Sequence, residues 1–227
     1  MAPLRDVASF PEMKRLHKPI CGLHVFDAPQ ARAAVAAKAD FLLVSTLVGP
    51  KRLGYESALP VTLDEILHHV KAVKRAAPQA FLVAGMPYLA GEIEPRDALR
   101  AAGRLVKEGG AHAVKVEGGI EAGAAIKELL RCQIPVLGHL GLTPHSENRW
   151  GGIARRGVSQ AEAEKLLTES RVIEGSGVFA LVVERIDRDL ARAIAQSLQV
   201  PVLGAGGEPG LDGSVLVAQD IWEARRR

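Results

Sequence analysis

Eight short apolar runs alternate with helix-period segments between Ile20 and Val217, and this alternation restricts the fold more than any other feature of the chain. The runs are read as strands over 20–26, 41–47, 80–84, 114–119, 134–139, 178–184, 201–204 and 215–217. Strands interleaved with helices in this way imply a parallel sheet with the helices packed outside it. Eight such units favour a closed (β/α)8 barrel over an open doubly wound sheet. Composition does not shift along the 227 residues, so one domain spans the chain. About ten residues follow the last strand, which predicts a shortened closing helix.

Local signals support the helices. Thr62 with Glu65 three residues later forms a capping-box pattern ahead of a helix over 63–76. Gly109-Gly110 stops a helix over 95–108, and Ser159 caps one over 160–170. Aromatic residues make up 4% of the chain, too few for a base-stacking surface, so no nucleic-acid partner is expected. The net charge of +3 is small, and part of it is the terminal Arg225-Arg226-Arg227, read as a solvated tail. Cys21 and Cys132 lie far apart without metal-ligand spacing and read as free thiols in a reducing compartment. The first 18 residues lack an apolar secretion core, and no apolar run approaches the length of a membrane span. A cytoplasmic protein without a membrane partner is the expectation.

Polar residues recur where a barrel carries its chemistry, at strand C-termini: Asp27, Thr46, Gly85, Lys115, Glu117, His139 and Glu184. Lys115 and Glu117 are two apart, so on a strand they share a face, and that face is the barrel interior. The pair reads either as site chemistry or as a satisfied salt bridge at the rim. Glu184 follows six largely apolar residues and suits a general base; its structural alternative is a salt bridge to Arg185 or Arg188. His139 in Gly-His-Leu-Gly suits a substrate carboxylate, or else bonds a neighbouring carbonyl. Lys115 is the counter-ion for an anionic substrate. The glycine loop 204–207 is a weak anion-binding signal, and His68-His69 reads as structural.

Several stretches together resemble the ketopantoate (3-methyl-2-oxobutanoate) hydroxymethyltransferase family. They are Leu59-Pro-Val-Thr62, the helix ending His68-His69, Val114-Lys-Val-Glu-Gly-Gly119, Gly138-His-Leu-Gly-Leu-Thr-Pro144 and Asp212-Gly-Ser-Val-Leu-Val217. The resemblance runs from about Phe10 to Asp220. It implies the barrel of the phosphoenolpyruvate mutase and isocitrate lyase type. It also implies a small 2-oxo acid substrate, Mg²⁺ gripping the keto and carboxylate oxygens, and methylene-tetrahydrofolate as one-carbon donor. By the same resemblance Glu184 matches the catalytic base, Lys115 and His139 hold the oxo acid, Glu117 lies at the metal's edge, and the assembly is a homo-oligomer.

The departures fall on the metal. The family's Val-Gly-Asp-Ser stands here as Val44-Ser-Thr-Leu47 and its Ala-Asp-Met-Pro as Ala84-Gly-Met-Pro87, so Thr46 and Gly85 occupy the positions of two metal carboxylates. Only Glu117 remains as a candidate ligand, and the usual Mg²⁺ site is expected to be lost. Lys51 and Arg52 replace apolar loop residues and either add positive charge near the substrate or stand as a solvated loop. The C-terminal helices usual in the family beyond Asp220 are absent, which weakens the expectation of an oligomer. The expected activity is therefore enolisation and C–C bond chemistry on a 2-oxo acid without the usual metal. Its alternatives are the orthodox Mg²⁺-dependent hydroxymethyltransferase and a non-catalytic homologue.

Overall fold

The computed structural model describes residues 5–150 and 155–224. The arginine tail at 225–227 and the adjacent glycines at 151–152 lie outside the described residues. Eight parallel strands close in chain order: β1 Ile20–His24, β2 Phe41–Val44, β3 Leu82–Gly85, β4 Ala113–Glu117, β5 Val136–Gly141, β6 Ala180–Glu184, β7 Val202–Ala205 and β8 Gly213–Val217. β8 returns to β1 in parallel, with Gly22 opposite Val215, so no edge is left unpaired. Around the barrel run α2 Ala28–Ala36, α3 Leu63–Ala76, α4 Pro95–Lys107, α5 Gly123–Arg131, α7 Gln160–Gly175 and α8 Arg188–Ser197. The remaining helices are α1 Ser9–Arg15, the single turn α6 Glu147–Trp150, and α9 Ala218–Ala224, the short closing helix. A π-helical turn, Gly49–Leu53, follows β2.

The anticipated caps are present. Thr62 and Glu65 exchange both capping-box bonds at the start of α3, and Ser159 accepts the Glu162 N–H at the start of α7; Asp27, read from the sequence as a strand-end residue, also caps α2 by accepting the Gln30 N–H. Strand boundaries differ from the sequence reading by two or three residues, because the apolar runs continue beyond the paired ladder at both ends. β2, for instance, stops at Val44, although apolar residues resume at Leu47. The helix read over 160–170 extends to Gly175, since Ile173 is buried on the same face as Leu166.

Strand periodicity sorts the core into two layers. Leu42, Val44, Leu82, Val114, Val116, Leu181 and Val183 face outward beneath the helices. Phe41, Leu43, Val83, Ala113, Leu137, Val182, Leu203 and Val215 fill the interior. The helix α1, absent from the sequence reading, plugs the N-terminal end. Phe10 is fully buried there, its ring centroid 5.8, 5.4 and 5.1 Å from those of Phe41, Phe81 and Phe179. Three strands thus close on one ring, and the apolar floor forces polar interior residues toward the opposite, C-terminal mouth. Replacing Phe10 with Ala empties this plug, and urea titration is expected to show a loss of about 3–5 kcal/mol in unfolding free energy.

Candidate active site

The inward-facing residues at the C-terminal ends of β1 to β6 are His24, Ser45 (just past β2), Gly85, Lys115 with Glu117, His139 and Glu184. Lys115, Glu117 and His139 are all buried. The Lys115 ammonium donates to Glu117 Oε1 at 2.5 Å and to His139 Nδ1 at 2.9 Å. An ammonium has no acceptor, so His139 must accept at Nδ1, and the neutral ring carries its proton on Nε2. That nitrogen lies 3.1 Å from Glu184 Oε2, yet is buried and makes no hydrogen bond of good geometry. It is a buried donor beside the Glu184 carboxylate.

Burial pushes the Glu117 carboxyl up, but the Lys115 ammonium beside it outweighs this and holds the group well below the usual carboxylate range. Glu184 is a quarter exposed and opens to the mouth. Its partner is His139, not the Arg185 or Arg188 of the structural alternative. Gly141, at φ +111°, lets β6 come close: a Cβ there would meet the Glu184 carbonyl oxygen, which accepts the Leu142 N–H at 2.9 Å.

Elsewhere at the rim, Lys51 pairs with Asp220 at 2.7 Å and Arg52 with Asp27 at 3.4 Å, each basic side chain staying about a third exposed. His69 donates from Nδ1 to the Phe26 carbonyl at 2.6 Å, as a structural histidine does.

Three site residues escaped the sequence reading. His24 and Ser45 are buried, with Ser45 Oγ 3.0 Å from His24 Nδ1. Counting by twos from Ile20 reaches His24, so the signal was present. His145 comes from the loop after β5; its backbone N–H donates to Glu117 Oε2 at 3.1 Å and its Nε2 lies 3.5 Å from Thr46 Oγ1. Nothing in the periodicity of a loop announces such a contact.

The comparisons with known proteins agree with this geometry. The family model for ketopantoate hydroxymethyltransferase matches residues 5–227. The chain belongs to that family. A 3-methyl-2-oxobutanoate hydroxymethyltransferase of Moorella thermoacetica is 44% identical over 209 residues, covering 92% of this chain and 78% of the relative. The enzyme of the same name from Koribacter versatilis is 43% identical over 210 residues, covering 92% and 71%. Among solved structures, a phosphoenolpyruvate phosphomutase of Streptomyces platensis superposes with a TM-score of 0.72 at 13% identity, over 98% of this chain and 84% of that one. A 2,3-dimethylmalate lyase of the PEP mutase/isocitrate lyase superfamily gives 0.66 at 17%, over 100% and 84%. These last two establish the fold that the family members share. Among the described residues no helix is long and apolar enough to cross a membrane.

The Mg²⁺ implied by the family does not fit the residues present. The ion takes about six oxygen ligands near 2.1 Å, carboxylates included. Thr46 offers a hydroxyl and Gly85 nothing, while both Glu117 oxygens already hold donors, Lys115 on one and the His145 N–H on the other. A side chain at position 85 would be tight, since a Cβ there would stand 3.0 Å from Cα and Cβ of Ser45, which would have to give by a few tenths of an ångström.

His24 gives this rebuilt mouth a measurable signature. Burial, with the charge of Lys115, pushes its imidazole down to about 3 against the opposing pull of Glu117. The fold therefore holds His24 neutral, and unfolding lets it take up a proton at any pH between about 3 and its ordinary 6.5. Its stabilisation is complete above 6.5 and is lost as pH falls, by up to about 1.4 kcal/mol per pH unit. Glu117 adds a loss of its own only below its ordinary 4.5. Urea titrations between pH 6.5 and 4.5 are expected to give a shallower pH slope for His24→Gln than for the unmodified chain; equal slopes would refute the buried neutral imidazole.

Proposed function

We propose that the chain enolises 3-methyl-2-oxobutanoate at this mouth and joins its C3 to a one-carbon unit, as a hydroxymethyltransferase. The observation that carries the reading is the connected row Glu117–Lys115–His139–Glu184, in which the buried His139 Nε2 makes no hydrogen bond and lies 3.1 Å from a Glu184 oxygen. The relatives' names favour this orthodox substrate over a different 2-oxo acid, the reading that the ligand losses had suggested. Retention of the base at the end of β6 argues against a non-catalytic homologue.

In the proposed reaction the Glu184 carboxylate takes the C3 proton. The C–H electron pair becomes the C2=C3 bond, and the carbonyl pair moves onto the C2 oxygen. The His139 Nε2–H and the third proton of Lys115 are the donors available to that oxygen and to the substrate carboxylate. The one-carbon unit comes from methylene-tetrahydrofolate by resemblance: water takes its methylene carbon off as formaldehyde, both C–N pairs stay on the two nitrogens, and these take up the two water protons. The enolate C2=C3 pair then forms the new bond to the formaldehyde carbon, the C2 carbonyl re-forms, and the formaldehyde C=O pair moves onto its oxygen, which takes the proton held by Glu184. Glu184 sits at the open side of the row, where the proton and the electrophile both have access. Lys115 and Glu117, buried behind it, hold the donors still.

Loss of the C3 proton of 3-methyl-2-oxobutanoate in D₂O, followed by NMR, tests the first step. The unmodified protein is expected to exchange it, and Glu184→Gln to exchange about 10²–10⁴-fold more slowly while still binding the acid. Exchange at an undiminished rate in Glu184→Gln removes the base assignment. No exchange by the unmodified protein, with or without Mg²⁺, removes the proposed function.

A further inference from the structure

His24 is the last of three interior positions on β1. Ile20 lies in the apolar interior, and the Phe41 ring fills the space that a Cβ at Gly22 would take. His24 follows two residues on, at the mouth. Its imidazole is 8% exposed and stands outside the row built on Lys115. The reaction proposed above leaves it without a task.

The proton on this ring can be placed. Ser45 Oγ lies 3.0 Å from His24 Nδ1 and accepts the Leu47 N–H at 3.4 Å. Ser45 is 2% exposed, so its own O–H requires an acceptor, and among the described residues Nδ1 is the one it meets. With Nδ1 accepting, the neutral ring carries its proton on Nε2. A protonated ring carries one there as well, so the Nε2 donor does not depend on the charge of the ring. Among the described residues Nε2 has no hydrogen-bonding partner, and unlike His139 Nε2 it is not sealed from solvent. The Phe10 plug closes the barrel below, which leaves the C-terminal mouth as the side from which Nε2 is reached.

Enolisation calls for such a donor. As Glu184 removes the C3 proton, negative charge gathers on the C2 oxygen. His139 Nε2 stands 3.1 Å from the Glu184 carboxylate, so the base itself competes for that N–H. Lys115 has already given two of its three protons, to Glu117 and His139. No carboxylate competes at His24, because both Glu117 oxygens are held, one by Lys115 and one by the His145 N–H. Burial and then the Lys115 ammonium act on the His24 ring, which sets the two groups around one space.

Resting on the function proposed above, we propose that His24 is a further catalytic residue, whose Nε2–H hydrogen-bonds the C2 oxygen of the 2-oxo acid as it becomes the enolate oxyanion. Ser45 is a positioning residue that acts through His24 by holding the tautomer. No proton leaves His24. The carbonyl pair settles on the bonded oxygen while Glu184 holds the C3 proton, and it returns when the new C–C bond forms. A neutral imidazole serves as the electrophile in other enolising enzymes.

Oxalate is the probe, a planar dianion with oxygens on adjacent carbons like those of the enolate. In the unmodified protein, ¹⁵N NMR is expected to show the His24 proton on Nε2 and to show that signal move when oxalate binds, a readout that requires no variant. Calorimetric titration of folded His24→Leu is expected to give oxalate binding at least about tenfold weaker. The affinity for 3-methyl-2-oxobutanoate, whose C2 carbonyl is neutral, is expected to fall less than about threefold. The C3 exchange rate at saturation is expected to drop about 10²–10³-fold, and His24→Gln, which keeps an N–H donor, to recover part of it. A bare Nε2, a signal that oxalate leaves in place, no oxalate binding, equal losses for oxalate and the oxo acid, or undiminished exchange in folded His24→Leu each overturns the inference. The two proposals fail separately. A His24 signal moved by oxalate without C3 exchange in the unmodified protein removes the proposed substrate and leaves His24 as the donor of an oxyanion site, whereas exchange that survives in folded His24→Leu removes only this inference.

Discussion

The buried contact between Lys115 and Glu117 governs the rest of the site. Taking an ammonium and a carboxylate out of water costs several kcal/mol per ion, and the pair persists only because its remaining donors and acceptors are used. Here Lys115 also serves His139, and Glu117 also receives the His145 N–H. Backbone bonds lock the supporting strands: the Met86 N–H to the Lys115 carbonyl and the Gly118 N–H to the His139 carbonyl, each at 3.0 Å. The ammonium in turn dictates the His139 tautomer. A single ion pair therefore decides which nitrogen faces Glu184, and through it the side of the mouth on which a substrate oxygen is welcome.

Much of this was legible before any coordinates. The eightfold alternation carries the barrel, because apolar runs that are buried on both faces have few other solutions. The i, i+2 spacing carries the shared face of Lys115 and Glu117, and the positions of His139 and Glu184 follow from strand ends. Phe10 was not legible: a single ring on a short helix has no periodicity, and its burial depends on three aromatic residues more than 30 positions away. His145 was hidden for a related reason, since loop geometry brings it to Thr46 across 99 positions. Lys51 and Arg52 reach Asp220 and Asp27, partners distant in sequence that a reading of the loop alone does not name.

Fold and chemistry separate cleanly in this molecule. The same barrel serves a phosphomutase and a lyase at 13% and 17% identity, so the architecture by itself selects no reaction. What it supplies is a ring of inward positions, one or two per strand, above an apolar plug. Membership in the hydroxymethyltransferase family rests instead on a family model that matches residues 5–227 and on identities above 40% over 92% of the chain.

Neighbouring positions at this mouth are physically linked. Val44 and Ala84 are register partners on β2 and β3, so the next residues, Ser45 and Gly85, lie side by side above the barrel. A Cβ at 85 would stand 3.0 Å from Cα and Cβ of Ser45, so a larger residue there requires Ser45 to give by a few tenths of an ångström. Ser45 Oγ is in turn 3.0 Å from His24 Nδ1, and Thr46 Oγ1 is 3.5 Å from His145 Nε2. A change at 85 therefore reaches His24 through Ser45, and a change at 46 reaches the loop after β5 through His145.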